Sequence, residues 1–270
     1  MEERVTLNDT DLDKWDWTWK QELQKSCHFK KFDREEAIQV LRGTWIVVAG
    51  DSQARLLFVA LLELLFPSIE ELRPQLFKRH SNFEYMFEKQ QMRLEFVWAP
   101  YAANLTAMAS EFGERQVCPD VLIMGAGLWH MLHVGDHNQY GSSLSELQRA
   151  LRSLPMHHKN VAVKDALPAK DLVLPQIFWM SLPTLIPSLL QSEVKQKQMT
   201  TYKLQVYSRE VLESQVLHPK GVAMLLDIQK LSHLCGPQCT RDGIHYSPAI
   251  YQAALQLLIN SSLRSPMRLQ

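Results

Sequence analysis

The residues Thr44-Trp45-Ile46-Val47-Val48-Ala49 form a short, β-branched, apolar run that stops at Gly50. A run of this kind reads as a strand buried on both faces, and such strands belong to sheets covered by helices on either side. The same pattern returns in Asp120-Val121-Leu122-Ile123-Met124, in Asn160-Val161-Ala162-Val163 and in Val222-Ala223-Met224-Leu225-Leu226, while Met92, Leu94, Phe96 and Trp98 alternate with Arg93, Glu95 and Val97. Between these runs stand helical patterns. Asp33 lies three residues before Glu36 as in a capping box, with Gly43 as a stop. Further helices are predicted from about Gln53 to Phe66, through Leu144, Leu147, Leu151 and Leu154, from about Leu204 to Leu217, and from Pro248 to Ile259. The Pro- and Leu-rich stretch from Leu167 to Pro187 reads as an irregular loop. Strands alternating with helices predict an α/β fold, a three-layer α/β/α sandwich around a mainly parallel sheet of about five strands joined by right-handed crossovers.

Several functions are disfavoured by the charge and length of the runs. Lys and Arg total 29, as do Asp and Glu, so no overall basic field exists to draw in nucleic acid. The longest apolar stretches, Leu56 to Phe66 and Val121 to Val134, fall short of the ~18–20 apolar residues of a membrane span. The opening MEERVTLNDTDLDKWDW lacks an apolar core, so neither a signal peptide nor a membrane span is expected in this chain. Cys27, Cys118, Cys235 and Cys239 permit two disulfides or none, and only the last two are close in sequence.

In a parallel sheet, chemistry collects beyond the carboxyl ends of the strands. Gly50-Asp51-Ser52 puts a serine where the first buried strand meets a helix, its N–H at the positive helix end where an oxyanion would develop. Taken alone, the tripeptide reads first as a helix cap set by Asp51 or Ser52. Asp242-Gly243-Ile244-His245 follows the last strand and opens on the same edge. An Asp three residues before a His can hold one imidazole nitrogen while the other faces a serine, the arrangement of nucleophile, base and orienter. Arg55, one turn into the helix, suits a donor, a substrate or a salt bridge. Trp129 suits a sugar platform or the core. His130, His133 and His137 have helical spacing, but Gly135 interrupts them and no acidic partner is fixed by spacing, so no metal site is expected.

The Gly-x-Ser-x-Gly elbow of ordinary α/β-hydrolases is absent. Instead, Gly50-Asp51-Ser52 with Arg55, Phe96-Val97-Trp98-Ala99-Pro100 before Asn104, Pro119 to Ile123 running into Gly125-Ala126-Gly127-Leu128-Trp129, and Asp242-Gly243-Ile244-His245 together resemble the SGNH (GDSL-like) hydrolases. More closely they resemble the PC-esterase branch, which includes the lumenal domain of sialic-acid O-acetyltransferases and the plant trichome-birefringence-like polysaccharide O-acetyltransferases. The resemblance spans about 27–263, leaving 1–26 as a lead-in and 264–270 as a tail. It implies Ser52 as nucleophile, His245 as general base and Asp242 as its orienter, with Gly125 and Asn104 at the oxyanion site. It further implies serine-dependent acyl transfer, an O-acetyltransferase acting on a carbohydrate acceptor with acetyl-CoA or another activated acetyl donor and no bound cofactor. A carbohydrate esterase and a non-catalytic glycan- or partner-binding module on the same fold are the alternatives. The family works largely in the Golgi lumen, although a chain without its own targeting segment also suits the cytoplasm.

Overall fold

The computed structural model describes residues 17–18, 29–155, 157–158 and 172–264. Asp33 accepts from the Glu36 N–H at 2.9 Å while the Glu36 carboxylate accepts from the Asp33 N–H at 3.2 Å, and this reciprocal cap starts α1 (Arg34–Leu41). Gly43, at φ +73°, follows its end. The chain then runs through β1 (Trp45–Gly50), α2 (Ser52–Leu65), β2 (Phe83–Phe87), β3 (Met92–Trp98), α3 (Ala102–Glu114), β4 (Val121–Gly125), α4 (Leu128–His133) and α5 (His137–Arg152). After it come β5 (Gln176–Met180), α6 (Thr201–Glu213), β6 (Ala223–Leu226), α7 (Ile228–Cys235) and α8 (Pro248–Arg264).

The main sheet has the order β2-β3-β1-β4-β5-β6, with β2 antiparallel to β3 and the other five strands parallel. This is the expected three-layer α/β architecture; the sequence reading did not include the helices α3 and α7, and the sheet departs from it in two places. The strand count rises to six because β2 adds an antiparallel edge. The expected strand at 160–163 lies outside the described residues, and the strand between β4 and β6 is Gln176–Met180, inside the stretch expected to be irregular. The prolines there flank the strand. Pro175 immediately precedes it and Pro183 follows, so neither breaks the ladder, and the five residues of the strand are too few to show a period.

Side chains of β1 alternate between two cores. Ile46 and Val48 join Phe58, Leu62, Tyr251 and Leu255 from α2 and α8. Val47 and Ala49 join Leu105, Leu144 and Tyr207 from α3, α5 and α6. Each fully buried aliphatic side chain contributes about 1.5–3 kcal/mol relative to exposure, so this central strand fastens both layers. Among the described residues no helix is long and apolar enough to cross a membrane.

At the carboxyl edge β1 and β4 end on glycines placed side by side, Gly50 opposite Gly125. A Cβ on Gly50 would lie 2.5 Å from the Gly125 carbonyl oxygen and 2.8 Å from the Ala54 Cβ, so the first turn of α2 can close onto the sheet only without one. Gly50→Ala is therefore expected to destabilise the fold by about 2–3 kcal/mol, the upper range for overpacking. Urea unfolding checks this, and a variant within ~0.5 kcal/mol of wild type would remove the close approach from the account.

Candidate active site

The turn after β1 places Asp51 and Ser52 at the start of α2. Asp51 is the N-cap, its Oδ1 accepting from the Gln53 N–H at 2.9 Å. Ser52 thus stands at the first helical position, where the helix dipole is positive and first-turn N–H groups lack partners within the helix. The second segment arrives from the far end of the chain, between α7 and α8. The Ser52 Oγ lies 2.7 Å from His245 Nε2, and His245 Nδ1 lies 2.6 Å from Asp242 Oδ2. The structure therefore joins the three residues in one hydrogen-bonded line across the carboxyl edge of the sheet.

Asp242 also organises its own loop. Its Oδ1 accepts from the Ile244 N–H at 3.0 Å and the His245 N–H at 2.8 Å. Burial alone would raise its carboxyl, but the bonds from the His245 ring and N–H, the charge of His245 and the Ile244 N–H outweigh it and hold the group well below the usual carboxylate range. The glycine between the two polar residues is required by close packing. Gly243 sits at φ +77°, and a Cβ there would lie 2.4 Å from the Ile186 carbonyl oxygen, while its own carbonyl accepts from the Ile186 N–H at 3.0 Å.

Gln53 ties the two segments together. Fully hidden at 3% exposure, it donates from Nε2 to the Ile244 carbonyl at 3.1 Å and accepts on Oε1 from the Tyr251 hydroxyl at 2.7 Å. Neither Gln53 nor Tyr251 stood out in the sequence. Adjacency to Ser52 was the one available signal for Gln53, and for Tyr251 there was none, because both roles depend on contacts nearly 200 positions apart.

The other expected site residues are distributed around this line. Gly125 ends β4 beside Gly50. Arg55 is buried, its guanidinium packed 5.1 Å from the Phe96 ring centre and 5.0 Å from that of Trp98. Its Nε and Nη2 have no hydrogen-bond partner among the described residues, and burial pulls its pKa down. Trp129 is half-buried in an aromatic group with Trp98 at 5.5 Å, His80 at 5.2 Å and Tyr101 at 6.0 Å. Asn104 is not brought into hydrogen-bonding contact with Ser52 or His245. Its Oδ1 accepts from the Tyr101 N–H at 3.2 Å, so this exposed amide caps the first turn of α3. Of the three spaced histidines, His130 is buried, accepts the Ala102 N–H at 3.1 Å and has its pKa depressed by burial to about 4, while His137 pairs with Glu210 at 2.8 Å.

Beside Ser52 lies a costly group. Asp51 is 3% exposed, and burial pushes its carboxyl up to about 6 against the opposing pull of the Gln53 N–H and the His245 charge. With the folded pKa above the unfolded value, this group costs nothing at low pH and destabilises the fold progressively as pH rises from about 4 to about 6. Asp51→Asn keeps an oxygen for the cap and removes the charge. It is expected to match wild type in stability near pH 4 and to exceed it by about 1–3 kcal/mol at pH 8. Denaturant titrations at both pH values check this, and a difference that does not grow with pH would contradict it.

Cys235 and Cys239 form a disulfide at the end of α7, directly before the Asp242 loop. Cys239 is buried and its carbonyl accepts the Ser247 N–H at 2.8 Å, closing the loop from its base. Cys118 is buried with its Sγ 3.1 Å from the Pro155 carbonyl, and Cys27 lies outside the described residues. Reduction is expected to speed hydrogen exchange at the Ile244 and His245 amides by roughly tenfold while leaving β1 and β4 amides protected, because loop and core open separately. Equal exchange in oxidised and reduced protein would show that the disulfide does not hold this loop.

Comparison with known proteins adds the following. No family model matches the chain. It is 38% identical over 255 residues to the Arabidopsis thaliana protein ALTERED XYLOGLUCAN 9, covering 92% of this chain and 68% of that protein. It is 22% identical over 241 residues to the Danio rerio N-acetylneuraminate (7)9-O-acetyltransferase, covering 87% of this chain and 28% of that protein. Among solved structures, Axe2, an acetylxylan esterase from Geobacillus stearothermophilus, aligns over 86% of this chain and 99% of its own at 11% identity with a TM-score of 0.44.

Proposed function

The chain belongs to the same family as the Arabidopsis protein ALTERED XYLOGLUCAN 9, and from that membership we propose that it moves acetyl groups onto carbohydrate hydroxyls as a serine-dependent enzyme of the PC-esterase branch of the SGNH superfamily. The observation that carries the proposal is the pair of short hydrogen bonds, Ser52 to His245 and His245 to Asp242, set at the N-terminus of α2. The name of the zebrafish relative, which is that of a sugar O-acetyltransferase, supports the choice of reaction.

In this reading the Ser52 Oγ attacks the carbonyl carbon of an activated acetyl donor, acetyl-CoA or another ester or thioester, and its proton passes to His245 Nε2. Asp242, held ionised by the bonds described above, fixes the imidazole by its Nδ1–H and balances the imidazolium. The negative oxygen of the tetrahedral intermediate lies toward the Ser52 N–H at the helix start, with the Gly125 turn beside it supplying further backbone donors. Collapse breaks the bond to the donor's leaving group, which takes the proton from His245 and leaves acetyl-Ser52. A sugar hydroxyl then attacks the acetyl carbon, gives its proton to His245, and departs as the acetylated product while Ser52 regains its hydrogen. Arg55, with unsatisfied N–H groups one turn from Ser52, is assigned to holding donor or acceptor, and Trp129 to the sugar side of the site. Water in place of the sugar turns the same machinery into an esterase, and acetyl release with and without oligosaccharide acceptors separates the two.

Incubation with an activated acetyl donor is expected to add one acetyl group to Ser52, read by mass spectrometry of the peptide that contains it. Ser52→Ala should abolish both the adduct and turnover in a protein that still folds, and Asp242→Asn should cut turnover by up to roughly 10⁴-fold, as for the orienting Asp of a serine-protease triad. Turnover by well-folded Ser52→Ala protein would end this assignment.

A further inference from the structure

β4 ends at Gly125, opposite Gly50 at the end of β1. Ser52 and Gly127 therefore each stand two residues past the paired glycines, where the chain leaves neighbouring strands ~4.8 Å apart. The Gly127 N–H has no hydrogen-bond partner among the described residues. The carbonyl on the other side of the same peptide is tied down. Tyr140, in the first turn of α5, donates its hydroxyl to the Ala126 oxygen at 2.7 Å. Tyr140 is fully buried, and its ring packs against those of His130 and Tyr207, with centres 4.9 Å away in each case. Burial raises its pKa well above the usual tyrosine value, so the hydroxyl keeps its proton and stays a donor.

A trans peptide is planar and points its C=O and its N–H in opposite directions. Ala126 and Tyr140 belong to the core beneath α3, α5 and α6, so the Ala126 C=O is directed into that layer. The Gly127 N–H is thereby turned out of it, toward the edge where Ser52 stands. Glycine at 127 is required by the same close packing. Its φ is +143°, and a Cβ there would lie 3.0 Å from Leu182 Cδ2 and 3.2 Å from the Tyr140 hydroxyl. The bond to the carbonyl also draws electron density from the peptide nitrogen, which strengthens the N–H as a donor.

We infer that Tyr140 is a positioning residue for acyl transfer: through the Ala126 carbonyl, its hydroxyl aims the Gly127 N–H at the oxygen that becomes negative when Ser52 attacks. The role rests on the acyl-transfer reading. Tyr140→Phe keeps the ring and removes the hydroxyl. Tyr207→Phe is the control, because the Tyr207 hydroxyl is buried in the same stack without a partner among the described residues. With 4-nitrophenyl acetate as acetyl donor, Tyr140→Phe is expected to lower kcat by about 10- to 100-fold, less than the roughly 10²–10³ for loss of an oxyanion donor itself, with KM within about twofold of wild type. The apparent pKa of the rate should stay where wild type has it, since the His245–Asp242 pair is untouched. Phenylboronic acid, which forms a tetrahedral adduct on a serine, should lose affinity by the same factor as kcat. Tyr207→Phe should match wild type in every readout. A further measurement needs no variant: with only 10 glycines in the chain, ¹⁵N-glycine labelling resolves the Gly127 amide, whose proton should move downfield when the boronate adduct forms. A Tyr140→Phe kcat within about twofold of wild type, a loss that appears in KM instead, an equal loss in Tyr207→Phe, or a Gly127 amide that the boronate leaves unmoved would each overturn the role. Wild-type protein that takes no acetyl group on Ser52 would overturn the acyl-transfer reading and this role together, whereas failure of the role alone leaves acetylation of Ser52 in place.

Discussion

Two strands end side by side on Gly50 and Gly125 because the space between β1, β4 and the first turn of α2 holds no side chain. That steric constraint orders much of what surrounds it. With the Cβ absent, α2 closes directly onto the sheet, its N-terminal N–H groups reach the carboxyl edge, and Ser52 stands partly exposed at its first position. The same edge receives the loop after α7, so Ser52 near the start of the chain and an Asp-His pair near its end meet within hydrogen-bonding distance.

Rigidity at this edge comes from bonds that take no part in a proton relay. Gln53 spans from α2 to the Ile244 carbonyl and to the Tyr251 hydroxyl of α8. The Asp242 carboxylate gathers two amides of its own loop, and Gly243 lets that loop lie against Ile186. A positioned histidine needs such support, since an imidazole displaced by about 1 Å loses much of its advantage as a base. The opposite tendency appears at Asp51, whose buried carboxyl costs stability at neutral pH. Arg55 is similar, a cation held between two rings with N–H groups left without partners. Buried polar groups without full satisfaction are tolerated where a ligand completes them.

Much of this arrangement was legible in the residues themselves. The capping box at Asp33 and Glu36, the two-faced burial of β1 and β4, and the position of Ser52 at the end of β1 follow from local pattern, and the rule that parallel sheets place loops of one kind at one edge brings the Asp242–His245 loop there too, although α7 separates it from β6. Reading failed where local pattern is silent. The strand Gln176–Met180 is only five residues long and bounded by prolines, and the β2 edge is recognisable only by its partner β3. Spacing likewise does not show that Asn104 Oδ1 accepts from the Tyr101 N–H and caps α3, a role that leaves its Nδ2–H donors unspent.

The amino-acid sequence by itself determined the layer architecture and the chemical kinds of group that reach the carboxyl edge, because periodicity, glycine stops and helix caps are short-range and act within a few residues. Tertiary structure alone decided which of those groups touch. The 2.7 Å bond between Ser52 and His245, the Gln53 bridge, the stacking of Arg55 on Trp98 and the bond from Tyr140 to the Ala126 carbonyl join residues brought together by strand order and helix placement. Strand order results from the packing of both cores at once, a many-body balance of buried area and close approach that no single segment encodes.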